Sequence, residues 1–221
     1  MSTTSKPLDI FQDLYLRGPT SAVAALRQAL KDRATPPWRY ATEKEEQLRE
    51  LGEEGDALAF ERAVTPGFEA AGLVLIADDD GLKVANIVPR ELSELTHRAY
   101  NAILADFASE VARPAAMDAG YSVVMSNSTL QLENVVSPAV AEALRRFSVL
   151  ANKSTGASHP LDRDRWFDFI LLAHRENAQL DASVLARWLS ESEGWFEDCA
   201  RDLAGEYERS RSLLTRYEAS A

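Results

Sequence analysis

The spacing of apolar residues changes near residue 136. Before it, short β-rich runs alternate with helical patterns; after it only helical spacing remains. IFQDLYL (10–16) partly alternates and predicts a strand. After the Gly18-Pro19 break, Thr20 is placed to cap a helix carrying Val23, Leu26 and Leu30 on one side. Trp38 to Thr42 and ALAFERAV (57–64) predict further strands. Between them, EKEEQLRELGEEGD (43–56) reads as a solvated helical turn or a mobile loop.

GLVLIADDDGLKVANIVP is the strongest hairpin signal. Leu73–Ile76 and Leu82–Val88 flank a turn ending in Asp80-Gly81. Tyr100, Ile103, Leu104, Phe107 and Val111 then mark a helix that Pro114 should stop or bend. YSVVMS (121–126) and TLQLENV (129–135) supply the last strand material. The order strand, helix, strands, helix, strand predicts an α+β fold over residues 1–135. Its form would be a ferredoxin-like split sandwich, an antiparallel sheet with helices on one face.

Residues 136–221 predict an all-helical domain. Ser137 caps and Pro138 starts a helix whose stripe is Val140, Leu144, Phe147 and Ala151, with Gly156 suited to its end. A second helix starts near Pro160. A third runs from Asp181 to about Tyr217, with a kink expected at Gly194. Phe196, Ala200, Leu203, Tyr207, Ser210, Leu214 and Tyr217 fall on alternating four- and three-residue steps, a coiled-coil-like seam. Either this seam packs on its own domain, or Phe196, Leu203, Tyr207, Leu214 and Tyr217 meet a partner, including a second copy in a homodimer.

Composition narrows the classes. With 221 residues, 46% hydrophobic and 27% charged, the chain has material for an ordinary core. A net charge of −11 opposes phosphate backbones, so nucleic acid is a poor partner and a protein a better one. The single cysteine, Cys199, rules out an internal disulfide and fits a reducing cytoplasm. The amino-terminal MSTTSKPLDIFQDLYLRG lacks a signal-peptide pattern, and no apolar run suits a membrane helix.

Candidate chemistry concentrates in ANKSTGASHPLDRDRWFDFILLAHR (151–175). Helix-building alone explains much of it. Pro160 suits a first turn, His159 before it is pushed to extended geometry, and Asp162 and Asp164 oppose the positive helix end. Trp166, Phe169, Ile170 and Ala173 form a buried stripe. The catalytic alternative makes His159 a general acid or base, oriented by Asp162 or Asp164, with Arg165 binding an acidic substrate. Lys153, Ser154, Thr155 and Ser158 would then hold an anion at the helix start. K-S-T-G lacks the upstream glycine of a phosphate loop.

Asp78, Asp79 and Asp80 at the hairpin tip, with Asp9 or Asp13 opposite, could hold divalent metal for phosphoryl transfer. Asp-Asp-Gly is first of all what an ordinary exposed hairpin turn looks like, since Asp and Gly suit its dihedrals. His97, His159 and His174 sit far apart, and Cys199 has no C-x-x-C partner. Trp188 and Trp195 suit a core or, with Phe196, an aromatic surface. The leading expectation is a cytoplasmic, non-enzymatic interaction or regulatory protein without a cofactor, antitoxin-like or immunity-like. The alternative is an enzyme acting on phosphorylated or nucleotide substrates.

Overall fold

Strand and helix signals sort into an antiparallel sheet with helices and a separate helical region, the α+β class the pattern predicts. The computed structural model describes residues 6–50, 57–91 and 94–220. The chain divides into two units, Asp9–Ser128 and Met1–Leu8 with Thr129–Ala221. Strand β1 (Leu8–Asp9) comes first and is taken up with the helical unit.

In the α+β unit, β2 (Leu14–Arg17) leads through a tight turn at Thr20–Ala22 to α1 (Val23–Arg33). Leu26 and Leu30 are buried as their spacing requires, but Thr20 contributes no capping bond. Then come β3 (Trp38–Tyr40) and α2 (Thr42–Glu50); residues 51–56 of the Glu-rich reach, like residues 1–5 of the amino-terminal stretch, lie outside the described residues. Strands β4 (Leu58–Arg62), β5 (Ala71–Asp78) and β6 (Gly81–Pro89) follow.

Helix α3 (His97–Phe107) is capped by the Thr96 hydroxyl, which accepts from the Ala99 amide. It does not stop at Pro114. A wide turn over Ala108–Ala112 carries it into α4 (Arg113–Ala119), which ends at Gly120 with φ +73°. Proline lacks a donor and its ring crowds the carbonyl four residues back; opening the helix by one residue just before Pro114 relieves both. Strand β7 (Ser122–Met125) closes the unit.

The six-stranded sheet runs β3-β4-β5-β6-β2-β7. Last strand lies beside first, as in a split sandwich, and the central hairpin is enlarged to the meander β3–β6. Leu14, Leu16, Leu58, Phe60, Leu73 and Leu75 pack under α1, α3 and α4. Phe107 meets Trp38 and Phe60 at centroid distances of 5.0 and 5.3 Å, each ring contributing about 1.5–3 kcal/mol by burial. Asp106 accepts from the Trp38 indole at 2.8 Å and from Arg62 at 2.9 Å, so the buried guanidinium is paired.

TLQLENV departs from expectation. Only β8 (Thr129–Leu130) is extended, it pairs with β1 outside the six-stranded sheet, and Leu132–Asn134 forms a tight turn. The helices are α5 (Pro138–Leu150), α6 (Pro160–Arg175), α7 (Ala182–Arg187) and α8 (Glu197–Glu218). The expected third helix is two. A wide turn at Trp188–Ser192 and Gly194 at φ +73° separate α7 from α8. Phe147, Trp166, Phe169, Trp188, Trp195 and Tyr207 fill the core. Glu206 ties it together, accepting from the Trp166 indole at 3.0 Å and from Arg163 at 2.7 Å. Burial penalises the Tyr207 phenolate and raises its pKa.

Candidate binding face

Helices α1, α3 and α4 cover one face of the sheet, α2 borders the other at β4, and strand alternation determines what that second face carries. Tyr15 sits opposite Lys83 and Val124, Ile76 opposite Lys83, Gly72 opposite Val88, and Ala59 opposite Val74. These positions alternate with the core leucines and so line the second face. Val88 is 51% and Val124 45% exposed, while Tyr15, Val74 and Ile76 are half-buried. A solvated face of an antiparallel sheet ordinarily carries polar side chains. This one presents Tyr15, Val74, Ile76, Val88 and Val124, with Lys83 and Asn86 among them. Arg17 lies over the Tyr15 ring at 5.1 Å, and Lys83 pairs with Asp78 at 3.4 Å.

Toward β4 the face becomes a groove of about 420 Å³, floored by Ala59, Gly72 and Val74 and flanked by Lys44 and Gln47 of α2 and by Arg90. Glu61 lies at this end with its side chain only 8% exposed, bonded by Arg39 from β3 and by Arg90 at 3.4 Å. The two arginine side chains are themselves 70% and 54% exposed.

The 151–175 candidates bond mostly to the backbone and side chains of their own helix junction. His159 is the N-cap of α6, its Nδ1 accepting from the Leu161 amide at 3.2 Å. Asp162 is buried; one oxygen accepts from the Asn152 amide at 3.1 Å and the other from Arg165 at 2.8 Å. Lys153 donates to the Glu193 carbonyl. Ser154 donates to Asn152 Oδ1 at 2.7 Å, and Thr155 to the Asn152 carbonyl at 3.3 Å. Ser158 and Asp164 are exposed. Asp162 and Arg165 come together; His159 is turned to its own helix start.

The hairpin aspartates do not meet their proposed opposites. Arg17, not Asp13, lies across from Gly81, and Asp13 is at the other end of β2, about 13 Å along the strand. Asp9 is on β1, outside this sheet. Asp80 pairs with Arg17 at 3.7 Å. Among the described residues no three His, Cys, Asp or Glu side chains gather as a metal site. Asp79 and Asp80 keep negative φ, and the reversal falls on Gly81, whose φ is +146°. A Cβ there would stand 2.0 Å from the Leu16 carbonyl oxygen, so backbone approach requires the glycine.

The α8 seam mostly serves its own unit. Leu203 and Tyr207 are buried and Leu214 packs against the same core, while Phe196 and Tyr217 are 67% and 71% exposed. Leu203 and Tyr207 therefore have no surface for a partner. Trp188 and Trp195 are core residues, the latter donating to Ser148 Oγ at 2.8 Å. His97 packs on Phe11 at 4.2 Å, His174 approaches Glu218 at 3.0 Å, and Cys199 is half-buried.

This face was not singled out from sequence, yet it left a trace. GLVLIA is apolar at consecutive positions instead of alternating, the pattern of a strand with both faces seeking cover. Arg39, Glu61 and Arg90 left none, since their meeting depends on sheet register.

Residues 136–216 match a family model described as a domain of unknown function (DUF1889), which takes in most of the helical unit. No curated protein and no solved structure matches the chain.

Proposed function

We propose that this is a non-enzymatic interaction protein whose α+β unit binds another protein through the sheet face opposite α1, α3 and α4. The observation that carries the reading is the set of Tyr15, Val74, Ile76, Val88 and Val124 on the sheet face opposite α1, α3 and α4. Large apolar side chains exposed together on a charged surface are characteristic of protein-binding sites. Two further arrangements support it. The 151–175 polar groups cap and brace a helix junction, and the hairpin carboxylates lie away from Asp9 and Asp13. In a cytoplasmic setting an antitoxin-like or immunity-like role is the form we favour, because such proteins act by occupying a partner's surface and need no turnover.

The test is capture of partners by the full chain from the cells that express it. Wild type is compared with Val88→Asp, Val124→Asp and, as a control at another exposed apolar position, Met117→Asp. The expected result is one stoichiometric protein retained by wild type and Met117→Asp and lost from both valine variants, with circular dichroism unchanged. Equal recovery by all four, or by none, would overturn the proposal.

A further inference from the structure

The groove beside α2 has a chemistry of its own. Gly72 gives it depth: a Cβ there would meet nothing closer than the Phe60 carbonyl oxygen at 4.0 Å, so a side chain from outside can take that space. Val74 and Val88 continue the apolar floor, and Pro89 and Arg90 end it. At this end two guanidinium groups share the Glu61 carboxylate. Each guanidinium carries five N–H donors in a planar fork, more than one shared carboxylate can occupy. The cluster of Arg39, Arg90 and Glu61 is therefore one unit positive and donor-rich. Glu61 holds the two forks in place at low entropy cost, and a planar anion of carboxylate shape is what such forks match.

The chain as a whole carries −11, so this mouth runs against its background charge. Attraction here selects an acidic visitor, and the surrounding negative body repels a second copy of the chain. We infer that the groove receives a segment of a partner protein that presents an Asp or Glu carboxylate to Arg39 and Arg90 and a branched aliphatic side chain to the space above Gly72. This rests on the reading of the sheet face as protein-binding and adds the chemistry of what it binds.

Fluorescence anisotropy with the full chain tests it, using two labelled decapeptides, one alternating Val and Glu, the other Val and Lys. The Glu peptide should bind wild type, weaken about tenfold or more between low and high salt, and weaken about tenfold in Arg90→Ala. Gly72→Leu, which fills the floor, should weaken it similarly; Arg90→Ala serves alone if that variant does not fold. The Lys peptide should not bind. No binding of the Glu peptide, equal binding of both peptides, or wild-type affinity in the folded variants overturns the inference. If these fail while Val124→Asp, away from the groove on β7, still abolishes partner capture, the groove chemistry alone falls. If Val124→Asp and Val88→Asp capture normally, the reading beneath it falls too.

Discussion

Replacing Asp162 with alanine separates a structural from a catalytic account of the 151–175 reach. Asp162 is 5% exposed and anchors the residue that follows α5 and its end, accepting from the Asn152 amide at 3.1 Å. Truncation leaves that partly buried amide without its charged acceptor, which costs about 1.5–3 kcal/mol. The pair with Arg165 at 2.8 Å involves a side chain that is 30% exposed, so its loss adds no more than about 0.5 kcal/mol. Removing a negative charge from the first turn of α6 adds about 0.3–1 kcal/mol. The sum is about 2–4.5 kcal/mol. For a unit of roughly 100 residues that lowers the melting temperature by about 10–25 °C. Asp162→Asn keeps an acceptor for the amide and should lose only about 1 kcal/mol. Tryptophan fluorescence reads the helical unit well, because Trp166, Trp188 and Trp195 lie in its core. Denaturant titration of the three proteins gives the free energies. A loss below about 0.5 kcal/mol in Asp162→Ala would refute the bracing account. So would an undiminished stability accompanied by loss of partner capture, since the carboxylate would then act outward.

Three other outcomes follow from the same geometry. Asp106→Ala leaves Arg62, whose side chain is 2% exposed, without its carboxylate and should cost about 3–5 kcal/mol in urea unfolding; a loss under about 1 kcal/mol would contradict the pairing. Gly81→Ala should cost more than about 2 kcal/mol by the same measurement, because its Cβ would stand 2.0 Å from the Leu16 carbonyl oxygen at a φ of +146°, and near-neutral stability would refute it. Asp181 caps α7, and the Ser183 hydroxyl and amide hold its carboxyl below the usual aspartate range. The unfolded chain therefore takes up the proton first on acidification, so this stabilisation is complete above about pH 4 and is lost as pH falls through the folded value. Wild type should lose more stability than Asp181→Asn between about pH 6 and pH 3, and parallel curves would show that the cap does not titrate as described.

Sequence by itself determined the local starts and stops. Ser137-Pro138, His159-Pro160 and Asp181 each begin a helix, and the glycine after Asp79-Asp80 takes the positive φ of the hairpin. These are short-range effects of capping and dihedral preference, readable wherever the residues occur. Class was legible for the same reason, because a period of two or of 3.6 is written into consecutive residues. What each apolar stripe packs against was not. Leu203 and Tyr207 read first as a core seam and alternatively as a partner seam, and only the packed unit places them in one core with Phe169 and Trp166. TLQLENV has strand composition but joins β1 instead of the sheet, since pairing depends on which edge is within reach. The proposed binding face belongs to this second kind of information. Periodicity says that a residue seeks burial; only the register of β3, β4, β5 and β6 brings Arg39, Glu61, Gly72 and Val88 to one place.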